Sequence, residues 1–102
     1  MPFSLFTDDQ VRTEVRRLVH ARKVAWTRHS EEKMVERGID KGQVKECLQN
    51  GIFTERPTVP NRFGSIEYKF RMESVVDGET LAVAASLIPD SKVVVITVFD
   101  PN

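Results

Sequence analysis

"GSIEYKFRMESVV", Gly64 to Val76, alternates along its whole length: Ile66, Tyr68, Phe70 and Met72 fall on one side, Glu67, Lys69, Arg71 and Glu73 on the other. A period of two is that of a strand with one face buried and one in water. Asp77-Gly78 follows, a pair suited to a two-residue hairpin turn because its central residues take positive φ. "ETLAVAASLI" (79–88), a turn at Pro89-Asp90-Ser91 and "KVVVITVF" (92–99) continue the pattern. The last of these is apolar on both faces, as an inner strand is. Strand cores are therefore expected at 66–72, 81–87 and 93–98.

Toward the N-terminus the period becomes helical. Thr7 with Gln10 has capping-box spacing, and Val11, Val15, Leu18 and Val19 keep one face apolar, predicting a helix over 8–22. "KVAWT" (23–27) reads as an extended link or edge strand. Ser30 is expected to cap a second helix that Gly38 stops, and Asp40 with Gln43 to start a third that ends at Gly51. The expected fold is α+β: two to three N-terminal helices packed on one face of a three- to four-stranded antiparallel sheet. That layout leaves the other face open, with Glu67, Lys69 and Arg71 on one strand and the small Ala82, Ala84 and Ser86 as a floor beside them.

A chain of 102 residues is enough for one domain and its core. The lone cysteine, Cys47, excludes an internal disulfide framework and a Cys-rich zinc site. No apolar run approaches the ~20 residues of a membrane helix, and "MPFSLFTDD" lacks a signal peptide's basic region and apolar core, so the cytoplasm is the expected compartment. Fifteen Lys+Arg balance fifteen Asp+Glu, but residues 1–62 hold 12 basic against 9 acidic groups and the remainder 3 against 6. Between Arg12 and Arg28, six cations face only Glu14, a stripe that suits phosphates or an acidic protein as well as plain solvent.

Two groups of residues can carry chemistry. In "TRHSEEKMVERGI" (27–39), His29, Lys33 and Arg37 each lie about 40° further round a helix and so share one stripe, with Glu32 and Glu36 on its flank. His29 there is either a general base with cations at hand or a residue closing the helix start. On the strand, Glu67, Lys69 and Arg71 recur at i, i+2 and i+4, at steps of roughly 7 Å on one face. Cleavage of RNA by its own 2′-hydroxyl needs a base, an acid and positive charge for the phosphate, and these are such types. An exposed strand of alternating charge looks the same. Tyr68 points to the core under strict alternation. Arg28, and Arg56 and Arg62 around the loop "PTVPN", complete the candidate RNA contacts.

The order "QVRTEVRRLVHARKVAWTRHS", "RGID", "IEYKF" and then two apolar strands resembles the MqsR-type messenger-RNA-cleaving toxins, in the wider RelE/barnase-like group of small α+β ribonucleases. "TRHSEEKMVERGID" is also similar to an uncharacterised bacterial domain family marked by Thr, His-Ala/Ser, Arg/Lys-Met and Arg-Gly-Ile. The resemblance implies a metal-independent endoribonuclease, needing no cofactor, that pairs with an antitoxin, often a zinc-containing, helix-turn-helix protein. Its catalytic set here would be His29, Lys33, Arg37, Glu67 and Lys69. Arg28, Arg56, Arg62, Tyr68 and Arg71 would bind RNA. The alternative is a non-catalytic nucleic-acid- or protein-binding module on the same fold.

Overall fold

The computed structural model describes residues 5–59 and 66–100. Along the chain run α1 (Asp8–His20), β1 (Val24–Trp26), α2 (Arg28–Arg37), α3 (Lys41–Asn50), β2 (Ile52–Thr58), β3 (Tyr68–Val76), β4 (Glu79–Ile88) and β5 (Lys92–Phe99). The sheet has five strands in the order β1-β5-β4-β3-β2. It is mixed, because β1 pairs in parallel with β5 while every other pairing is antiparallel. The α+β class holds, but the sheet is mixed and has five strands in place of the three or four antiparallel ones expected: β1 falls on the 23–27 stretch read as a link or edge strand, and β2 is additional. No helix among the described residues is long and apolar enough to cross a membrane.

Local chemistry explains the helix limits. Thr7 and Gln10 form a reciprocal capping box at the start of α1, and Asp40 and Gln43 form another at α3. The cap of α2 is Thr27, not Ser30. The Thr27 hydroxyl accepts the Ser30 backbone N–H at 3.1 Å and donates to the Ile96 carbonyl at 3.0 Å. Ser30 sits fully buried in the first turn and donates its own hydroxyl to the Thr27 carbonyl at 2.7 Å. Gly38 ends α2 in the left-handed region at φ 66°. α3 stops at Gly51, where an added Cβ would lie 2.6 Å from the Cys47 carbonyl oxygen and 2.8 Å from that of Glu73. Only glycine lets the helix end against β3.

Asp77 (φ 52°) and Gly78 (φ 82°) make the tight β3–β4 turn, with Val76 opposite Glu79. α3 lies on β3 and β4, α1 on β5 and β2, and α2 along β5. Tyr68, Phe70, Met72, Leu81, Val83, Leu87, Val93 and Val95 meet Val11, Val15, Leu18, Val44 and Leu48 in one core. Cys47 belongs to it. Burial first, and the charge of Glu73 second, push its thiol up to about 12, so it is no nucleophile at neutral pH.

The pairing of β4 with β5 skips Ile96: Ala85 faces Val95 and Ala84 faces Thr97. This bulge resets the alternation, so that Val98 returns to the core side after Val93 and Val95. β2 carries two such shifts and a proline, as an edge strand can.

Candidate active site on the open sheet face

The face of the sheet opposite α1 and α3 is built in rows. Register places Lys69 beside Ser86 and Val94, Arg71 beside Ala84 and Thr97, and Glu73 beside Ala82 and Phe99. The small β4 residues lie on this face as expected, flanked by the charged side of β3, but Ala82 and Ser86 are buried and only Ala84 of the three reaches the groove. From β2, Glu55 stands opposite Arg71 and Thr58 opposite Lys69. Glu55, Arg56, Thr58, Lys69, Ala84 and Ile96 line an open groove of about 490 Å³.

Arg71 is the best-fixed group there. Its guanidinium carbon sits 4.1 Å from the centre of the Phe99 ring. Carboxylates flank it at 3.6 Å (Glu55) and 4.0 Å (Glu73), longer than a good hydrogen bond. Its Nε is buried and has no acceptor among the described residues. The cation is thus held in place by stacking while part of its hydrogen-bonding capacity stays unused. Lys69, one step along the strand, is exposed and makes no ion pair among the described residues. Glu67 accepts a hydrogen bond from the Ser86 hydroxyl at 3.0 Å. Glu73 is expected on the same strand face as Arg71, but Glu55 is not, because only pairing across strands brings it there.

The other predicted residues are spread more widely. Tyr68 points into the core and is 4% exposed; its hydroxyl accepts the Phe6 backbone N–H at 2.9 Å and its ring stacks on Phe6. It shares no face with Lys69. Arg56 pairs with Asp8 at 2.8 Å, and Arg28 with Glu32 at 3.1 Å. Arg62 lies outside the described residues. In the α2 stripe, His29 is exposed with no hydrogen-bond partner among the described residues, and Lys33 reaches Glu36 at 3.4 Å. Arg37 lines a separate hollow with Thr80 and Phe99 at the β3–β4 turn end of the sheet. The groove beside Lys69 has no α2 side chain in its walls, so the two predicted groups are not brought into one cleft.

The basic stretch of α1 is largely engaged within the chain. Arg12 lies over the Phe53 ring, Arg16 donates to the Gln49 carbonyl at 2.8 Å, and Arg17 pairs with Glu14 and Asp90. The Arg17 guanidinium holds the Glu14 carboxyl below its ordinary range, against a smaller opposing effect of burial. Among the described residues, no three His, Cys, Asp or Glu side chains group as metal ligands would.

A family model described as "Domain of unknown function (DUF4258)" matches residues 26–100, and the chain belongs to that family. The match runs from the end of β1 through β5 and so contains the open face from β2 to β5. No curated protein and no solved structure matches the chain.

Proposed function

We propose that this member of the DUF4258 family cleaves RNA on the open face of its sheet by attack of the 2′-hydroxyl on the adjacent phosphate, with no metal required. The stacked Arg71 guanidinium carries the reading: a cation preorganised on the Phe99 ring, between Glu55 and Lys69 of the groove wall, suits a phosphate. The groups around it are of mixed sign, with Glu55, Glu67 and Glu73 against Lys69 and Arg71. A surface meant only to hold RNA by charge would be net positive. Carboxylates set among cations are what proton transfer at a phosphate needs.

In this reading Glu55, in the groove and beside Arg71, takes the 2′-hydroxyl proton. The 2′-oxygen bonds to phosphorus, the bond to the 5′-oxygen breaks, and Lys69 returns a proton to that oxygen. Arg71 neutralises the pentacoordinate phosphate. Glu67 fixes Ser86 on the floor, and the His29, Lys33 and Arg37 stripe with Arg28 and Arg56 steadies RNA outside the groove. A sheet with helices on one face is compatible with the RelE/barnase-like group, with β1 as an addition. The mixed charge also gives a neutralising protein, of the zinc-containing helix-turn-helix kind that the resemblance implies, a surface to pair with in the cytoplasm.

The test is incubation of purified protein with RNA in EDTA. Products should carry 2′,3′-cyclic phosphate ends, and Glu55→Gln should lower the rate by about two to four orders of magnitude. Arg71→Lys, which keeps the charge and loses the fork, should also slow cleavage strongly. If Glu55→Gln cleaves like wild type while Glu67→Gln or His29→Ala does not, the base is misassigned. If the wild type binds RNA and leaves it intact, the same face is a non-catalytic binding surface.

A further inference from the structure

The helical layer, on the far side of the sheet from the proposed cleavage face, has a hollow of about 380 Å³ between the end of α1 and the flank of α3. His20, Arg22 and Lys45 line it, along with Gly42, Glu46 and Gln49. Gly42, Lys45, Glu46 and Gln49 recur at helical spacing and so form the α3 wall. The side chains of His20, Arg22 and Lys45 make no hydrogen bond or ion pair among the described residues. Glu46 lies in the same hollow, yet neither cation pairs with it.

The backbone singles out Arg22. It follows the α1 C-cap, Ala21, at φ 63°, and its N–H bonds the Val19 carbonyl at 3.0 Å while the Lys23 N–H bonds that of Leu18 at 2.8 Å. This is the position where helices usually place glycine, which takes the left-handed conformation without steric cost. Here an arginine holds it, and its side chain makes no hydrogen bond or ion pair among the described residues. Strain at a residue whose side chain is free points to work done by that side chain.

We infer that His20, Arg22 and Lys45 form a binding site for a phosphate-type dianion, inorganic or as a terminal phosphomonoester. The two positive charges of Arg22 and Lys45 on one hollow match two negative ones, with His20 as a further N–H donor. Glu46 disfavours a bulkier polyanion on its side of the hollow. The site does not depend on RNA cleavage and would stand if that reading failed.

The experiment is a titration of backbone amide NMR shifts at constant ionic strength with inorganic phosphate and pyrophosphate, and chloride as control. A 5′-mononucleotide and its nucleoside, run in parallel, separate a terminal phosphomonoester from the free anion. Saturable shifts are expected at Ala21, Arg22, Lys23, Lys45 and Gln49, with none from the nucleoside. Arg22→Gly should raise the melting temperature yet weaken phosphate binding by at least about tenfold, the usual scale of a lost charged hydrogen bond. Lys45→Gln should weaken binding with the melting temperature unchanged. Shifts that rise linearly and equally with chloride, or an Arg22→Gly variant that keeps its affinity, would overturn the site.

Discussion

Replacing Thr27 by Val removes one hydroxyl and keeps the shape and branching of the side chain, so the loss reads out two hydrogen bonds. The first caps α2 through the Ser30 N–H, and the second holds the Ile96 carbonyl at the bulge of β5. An N-cap is worth about 1 kcal/mol, and a hydrogen bond to a partly buried carbonyl about 1 kcal/mol more. A loss of about 2 kcal/mol is expected, which for a domain of this size lowers the melting temperature by roughly 8–16 °C. Urea unfolding followed by circular dichroism measures the loss with an unchanged m-value, and hydrogen exchange should quicken at Ser30. Thr27→Ser restores both bonds and should recover most of the stability. A Thr27→Val protein within about 0.5 kcal/mol of wild type would refute the reasoning. So would a Thr27→Ser protein as weak as Thr27→Val.

Gly51→Ala forces a Cβ to within 2.6 and 2.8 Å of two backbone oxygens that cannot both yield, and should cost more than about 3 kcal/mol in urea unfolding; a loss under about 1 kcal/mol would show that α3 can slide. Cys47 should resist alkylation of the native protein at neutral pH and react only on unfolding, as measured by mass spectrometry. Its thiol ionises in the unfolded chain near 9 but in the fold only at about 12, so stability should fall as pH rises through that window, and Cys47→Ala should lack this loss. Glu14, held below its ordinary carboxylate range by Arg17, acts at the acid end: its contribution is present above the ordinary value and lost as pH falls through the lower folded-state pKa, and Glu14→Gln should flatten the acid limb of a stability–pH curve.

What could be read in the chain was local. The capping pairs Thr7/Gln10 and Asp40/Gln43 stand three residues apart, and Asp77-Gly78 is its own turn signal. Strict alternation from Tyr68 to Met72 put Lys69 and Arg71 on the open face and Tyr68 in the core. The cap of α2 went to the wrong hydroxyl because Thr27 and Ser30 both stand at the helix start, and the choice rests on Ile96, distant in sequence. β2 was missed because two bulges and Pro57 break its alternation. The stacking of Arg71 on Phe99 and its pairing with Glu55 depend on register between strands, which no window of sequence displays.

The parallel pairing of Val24–Trp26 with Val93–Val95 bears on the order in which the molecule is made. β5 is the last of the described elements, and it supplies the neighbour of β1, the bed of α2 and one partner of β4. A ribosome therefore releases β1 and α2 well before the strand that anchors them exists. Closing a contact across some seventy residues is slow, since loop entropy must be overcome before the contact gains anything. Until β5 arrives, the growing chain exposes the apolar edge of β4 and an undocked amphipathic helix, the surfaces that invite aggregation or a chaperone. Chains cut before Lys92 should accumulate as insoluble or protease-sensitive material, and not as a smaller version of the same fold.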